Sequence, residues 1–174
     1  MLKLIIFAVV SVGFVFVSRS SLRNPRSHGF FRFFAFESIL VLLLLNLEHW
    51  FSDAFSPLQI ISWLLLLSSL ALAVYGFYLL RMIGRPKGGI ENTTTLVRSG
   101  AYKHIRHPLY SSLLLFSWGV FFKDPSLLGG VLLLAISAFL LASAKAEEAE
   151  NLRKFGADYA DYMKTTKMFI PFLF

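Results

Sequence analysis

Five apolar blocks take up most of this chain, and short charged stretches separate them. The first is "LIIFAVVSVGFVFVS", Leu4 to Ser18. With Met1 and Leu2 it just reaches the lower limit of about 17 residues for a membrane span. A signal peptide is the alternative, because Lys3 precedes the run. The next residues, however, are the basic "SRSSLRNPR" and not a small-residue cleavage site. The second block runs from Phe30 to Phe51 and the third from Pro57 to Leu80. The fourth, Leu109 to Phe122, is short for a crossing. The fifth runs from Ser126 to Ala144. Only "KDP" separates the fourth from the fifth, so these two must pack as an antiparallel hairpin. The expected fold is all-α: a polytopic membrane helix bundle of about five transmembrane helices with a C-terminal cytoplasmic helix. The chain reads as a single integral membrane domain, 1–174. Its three N-terminal spans lie in 1–80; a loop, the hairpin and a C-terminal helix fill 81–174.

Composition agrees. The 174 residues are 56% hydrophobic, against about 45–50% in soluble domains. The net charge of +7 suits loops facing an anionic leaflet, and no nucleic-acid motif accompanies it. With no cysteine, disulfides, iron–sulfur clusters, thiolate zinc sites and a cysteine nucleophile are excluded. The histidines lack the spacing of a metal motif.

Charge placement sets a topology. Arg19, Arg23, Arg26 and Arg32 follow span one, whereas "SDAFS" between spans two and three carries no Lys or Arg. Arg81, Arg85, Lys87, Arg98, Lys103 and Arg106 fill the third loop, and Lys123 stands alone in the hairpin turn. Lys145, Arg153, Lys154, Lys164 and Lys167 mark the tail. The positive-inside rule places the two basic loops and the C-terminus in the cytoplasm and the N-terminus outside.

The tail "AKAEEAENLRKFGADYADYMKTT" is composed of good helix formers and reads as a helix outside the lipid, with Gly156 a point to break or bend it. Tyr159 and Tyr162 share one of its faces. The apolar "MFIPFLF" then packs against the bundle or the interface. The third loop, Met82 to Pro108, exceeds the length at which a loop is usually functional.

Chemistry concentrates at two places. "YKHIRHPLY", within Ser99 to Ser112, holds two of the four histidines and two cations at the lip of span four. Pro108 turns His107 away from helical geometry and opens a helix at its first position. The unpaired N–H groups of that helix start favour an anion, as does Arg106. An ordinary interfacial anchor is the simpler reading of this stretch alone. The second place is "AEEAE", with Glu147, Glu148 and Glu150 directly after span five. Consecutive helical residues point about 100° apart, so only one of Glu147 and Glu148 can point fully inward. These acids could hold an ammonium or sulfonium, or simply begin a solvated helix. The hairpin brings both places to one side, and an anion site beside a cation site suits a zwitterion such as an amino-acid headgroup. Glu37 and Glu48, inside span two, are weaker candidates; Arg32 is an available partner for Glu37.

"TTTLVRSGAYKHIRHPLY", followed about forty residues later by "EEAENLRKFGADYADY", resembles the isoprenylcysteine carboxyl methyltransferases, a family grouped with the phospholipid methyltransferases. The resemblance covers about Gly84 to the C-terminus and implies an integral membrane methyltransferase that uses S-adenosylmethionine. By resemblance, the cofactor contacts are Thr95, Leu96, Val97, Tyr102, His107, Pro108, Leu109, Tyr110 and Glu147, which makes Glu147 the inward carboxylate of the pair. Glu148 is then a candidate base and Arg106 a group acting on an anion or on the structure. The expected acceptor is a small lipophilic molecule from the bilayer, either an isoprenylcysteine-like carboxylate or a lipid headgroup. Three positions depart from the family pattern. Ser112 stands where a Gly is frequent, and Asn151 where Leu is usual. Ser143 occupies the place, one helical turn before Glu147, of an Arg that faces the substrate carboxylate in protein-methylating members. Two other readings fit such a scaffold: an NADPH-dependent reductase of the sterol-reductase type, and a non-enzymatic membrane protein.

Overall fold

The apolar blocks become helices whose ends are set by single polar residues. The computed structural model describes residues 1–87, 89 and 92–171. Parts of "GRPKGGIEN" and the last three residues of "MFIPFLF" lie outside them. Among the described residues six α-helices appear in chain order: α1 (Leu2–Leu22), α2 (His28–Leu45), α3 (Pro57–Met82), α4 (Pro108–Phe121), α5 (Leu127–Phe155) and α6 (Ala157–Thr165). The described residues contain no strand, only an isolated parallel bridge between Ile105 and Lys167. Helices α1, α2, α3 and α5 are long and apolar enough to cross a membrane. The protein is an integral membrane protein of the expected all-α class. At 14 residues, α4 rises about 21 Å, less than the hydrocarbon core of about 30 Å.

Two boundaries differ from the sequence reading. The second span does not run on to Phe51: α2 stops at Leu45 because the buried Asn46 bonds Leu42 O with both its backbone N (3.2 Å) and its Nδ2 (3.1 Å). The "AEEAENLRKF" segment is not a separate tail helix but the continuation of α5. Its Ala, Glu and Leu carry no stop signal before Gly156, whose φ of +56° ends the helix.

The chain divides into two units, Met1–Leu66 with Leu114–Glu147, and Leu67–Leu113 with Glu148–Phe174. In the first unit, Ala35, Leu42, Val120, Ile136 and Leu140 form the driest packing. α1 buries no residue of its own. It meets α2 through the Phe14–Phe36 ring contact and through Ser11, which donates to Glu37 Oε2 at 2.7 Å. Ser62 Oγ donates to Gly119 O at 2.7 Å. A side chain at Gly119 would meet Leu66 at 2.8 Å, so the missing Cβ lets α3 and α4 approach. At the hairpin turn the buried Lys123 donates to Gln59 Oε1 at 2.9 Å and lies 3.7 Å from the Trp63 ring centre. Ser143, fully buried, donates to His28 O at 2.9 Å.

In the second unit, Gly76 lets α3 approach the first turn of α4: a Cβ there would meet Leu109 at 3.2 Å and Pro108 at 3.4 Å. Leu79 of α3 packs with Val97 and Tyr102. Gly100, at φ +59°, turns the chain where a Cβ would strike the Tyr75 hydroxyl and Leu79. Thr94 N and Thr95 N both donate to Gly84 O, at 2.8 and 3.1 Å, so the start of the long loop is fastened to its middle.

Candidate active site

The centre of the second unit is a buried charge cluster. Arg106 Nε donates to Glu148 Oε1 at 2.5 Å, and each side chain is only 9% exposed. His107 Nε2 lies 3.4 Å from the same oxygen, and His107 is 4% exposed. Arg106 Nη1 also donates to Thr166 O (2.5 Å) and Met163 O (3.4 Å). The guanidinium thereby ties three segments: the loop before α4, the end of α5 and the chain leaving α6. Buried carboxylates and guanidinium groups persist only when paired and hydrogen-bonded in this way.

The backbone repeats the connection. Arg106 N and His107 N donate to Lys167 O (2.8 Å) and Met168 O (3.1 Å), and Lys167 N donates to His104 O (3.1 Å). Ser111 Oγ donates to Phe169 O at 2.8 Å. The segment after α6 is therefore a strap laid along the "IRHP" stretch, held by main-chain bonds, with Phe169 buried beneath it. Pro108 opens α4 without an N–H to satisfy. His107 consequently sits at the helix start, and its ring stacks on Tyr110 at 5.4 Å with 26° between planes. Tyr162 Oη donates to Tyr102 O at 2.6 Å, and the Tyr159 and Tyr162 rings meet edge-on at 5.8 Å. Burial, followed by the neighbouring Tyr159, raises the Tyr162 phenol above its ordinary range.

Several residues singled out in the sequence come together here: Arg106, His107, Tyr110 and Glu148 form one cluster. Pro108 is fully buried at the start of α4, and Val97 and Tyr102 lie in the adjoining core. Leu96 and Leu109 are half-buried and Thr95 is exposed. The resemblance makes Glu147 the inward carboxylate, but the structure buries Glu148 instead, because the turn of α5 points Glu148 at Arg106 and His107; Glu147 is half-exposed and belongs to the first unit. Ser112 is buried, with Oγ bonding Leu109 O (2.7 Å) and its carbonyl accepting from Ser69 Oγ (2.8 Å).

Two contributors escaped the sequence reading. Arg98, which counts in the sequence only as a positive charge, donates to Asp158 O and lies 5.9 Å from the centre of the Tyr162 ring. The carbonyls of Thr166 to Phe169 were invisible as site elements, because a backbone acceptor leaves no mark in a sequence. The apolar run "MFIP" was the one available signal that this segment packs inward.

The cluster offers one guanidinium and one carboxylate, each already neutralised by the other, beside an imidazole and an aromatic face. A zwitterion finds both complements in such a set.

A family model described as phospholipid methyltransferase matches residues 58–158. The chain belongs to that family of membrane methyltransferases. A curated relative, methanethiol S-methyltransferase 2 of Bradyrhizobium diazoefficiens, is 37% identical over 75 residues, which is 42% of this chain. The match spans only about a quarter (27%) of that relative's length.

Proposed function

We propose that this protein transfers a methyl group from S-adenosylmethionine to a small lipophilic acceptor drawn from the bilayer. The observation that carries this reading is the buried Arg106–Glu148–His107 cluster inside the family-matched segment. Its donor set fits the methionyl end of the cofactor: Glu148 suits the ammonium, Arg106 and the start of α4 suit the carboxylate, and Tyr110 offers a ring face to the sulfonium. Among the other contacts the resemblance implies, Thr95, Leu96, Val97 and Tyr102 line the loop side, Pro108 and Leu109 line the helix start, and Glu147 lies next to Glu148 on α5.

When bound, S-adenosylmethionine supplies an activated methyl. Glu148, Arg106 and the start of α4 would hold it, and its sulfonium would give up the methyl to the acceptor's lone pair while the sulfur kept the bonding electrons. The protein's task is alignment and exclusion of water. An anionic acceptor is neutralised by the transfer and needs no base. An amine must also lose a proton, for which Glu148 and His107 are the available bases. The family is described by phospholipid methyl transfer and the relative by methanethiol methyl transfer, so both acceptor classes belong among those to be tested. Ser143, fully buried against α2, offers no cation to an acceptor. The basic loops favour a cytoplasmic site and C-terminus, with the N-terminus outside.

A transfer assay tests this reading. Full-length protein in nanodiscs receives S-adenosylmethionine with a labelled methyl, together with membrane lipid, prenylcysteine analogues or alkanethiols. Label entering an organic-soluble product is expected, and its loss in Glu148→Gln. Absence of transfer to every acceptor class would refute the reading.

A further inference from the structure

The outer face of α3 carries a groove that the cluster does not use. It encloses about 540 Å³, within the range of about 300–1,000 Å³ for small-molecule sites. Val74, Phe77, Tyr78, Arg81 and Met82 line it from α3, and Leu109 walls it from α4. These five α3 positions fall at i, i+3, i+4, i+7 and i+8, one stripe of a helix, and Ala73 adds a sixth α3 residue to the lining. All five are exposed, as are Leu67 and Leu70 further back along the helix. The stripe is apolar until the last turn, where Arg81 is its single charge. Arg81 forms no ion pair with any described residue. The wall residue Leu109 is two positions from His107, and Gly76 brings α3 against Leu109 and Pro108. The groove therefore runs along the helix start that carries the cluster.

We infer that this groove binds the acceptor, that the acceptor is a single-chain amphiphile with an anionic head, and that Arg81 positions that head. The inference rests on the methyl-transfer reading and names its substrate class. Charge complementarity selects the occupant. An apolar chain matches the stripe, and a guanidinium with no carboxylate partner among the described residues attracts an anion and repels an ammonium head. An anionic head also suits the chemistry, because its lone pair attacks without a base and the product leaves neutral.

The test uses the full chain in phosphatidylcholine nanodiscs with a photoreactive fatty acid, its methyl ester and the matching fatty amine, followed by mass-spectrometric mapping. The carboxylate probe is expected to label residues 73–82 and to be competed off by unlabelled fatty acid. Arg81→Gln should weaken its apparent affinity about tenfold, the value of one charge-assisted contact, and Arg81→Lys should restore much of it. The ester and the amine should label weakly and ignore the substitution. Equal labelling by all three probes, or an Arg81→Gln protein that labels like wild type, would overturn the inference and leave Arg81 as an interfacial anchor only. S-adenosylhomocysteine binding is measured on the same samples. Intact adenosyl binding without Arg81-dependent labelling removes the acceptor assignment alone. Loss of adenosyl binding in the wild type removes the methyl-transfer reading itself.

Discussion

Arg106 and Glu148 lie 42 positions apart in sequence, yet their side chains meet at 2.5 Å inside the second unit. This pair makes the "RHP" stretch and the second acid of "EE" one object. It also explains why each motif alone read as an ordinary membrane flank. Arg106→Ala or Glu148→Ala leaves a buried charge uncompensated and should cost about 3–5 kcal/mol. Replacing both by apolar residues of similar size should cost clearly less than the sum. Thermal unfolding of the four proteins in detergent gives the cycle; strictly additive losses would show that the two groups do not interact.

Tyr162 makes the strap region sensitive to alkali. The fold holds its phenol proton to higher pH than the unfolded chain, where tyrosine titrates near 10.0. Folding therefore binds a proton above that pH, and the stabilisation falls as pH rises. Tyr162→Phe should cost about 1 kcal/mol at pH 8 through the lost bond to Tyr102 O. The wild-type advantage should shrink steadily above pH 10. Denaturant unfolding of both proteins at pH 8 and pH 11 checks the sign; an advantage that grows in alkali would contradict it.

Lys123 braces the hairpin turn by a different means. Burial holds its ammonium below the ordinary lysine range, and Gln59 and the Trp63 ring compensate it. Lys123→Ala should destabilise the protein by about 2–3 kcal/mol and strand the Gln59 carbonyl. Trp63→Leu should cost a similar amount, with the two losses overlapping in the double variant. Unfolding monitored by tryptophan fluorescence reads the first, and circular dichroism reads all three.

Gly100 carries the turn into "AYKHIRHP". Gly100→Ala must adopt a φ of +59° and crowd Tyr75 and Leu79, so it should lose more than about 1 kcal/mol. A melting temperature equal to wild type would show that the turn relaxes freely.

Much of the fold was legible because hydropathy and basic charge are written directly in the residues. The helices and the short hairpin turn between Phe122 and Ser126 follow from them. The end of α2 was not, because Asn46 inside an apolar run signals nothing until its side chain is seen bonding Leu42 O. The continuity of α5 past Ala144 was missed because the change from apolar to charged residues marks a change of solvent, not of backbone. At the site, His107, Tyr110, Arg106 and Glu148 were found by residue type and spacing. Helical phase alone does not distinguish Glu147 from Glu148, the resemblance points to Glu147, and tertiary packing buries Glu148 instead. The strap carbonyls and Arg98 act through geometry that no local pattern encodes.

The most direct test of the methyl-transfer account is calorimetric titration of the purified full-length protein with S-adenosylhomocysteine and with NADPH, repeated on His107→Ala and Tyr110→Ala. The account predicts saturable binding of the adenosyl ligand, none of NADPH, and at least tenfold weaker adenosyl binding in both variants while circular dichroism stays unchanged. Binding of NADPH but not the adenosyl ligand, or adenosyl affinity untouched in both variants, would contradict it.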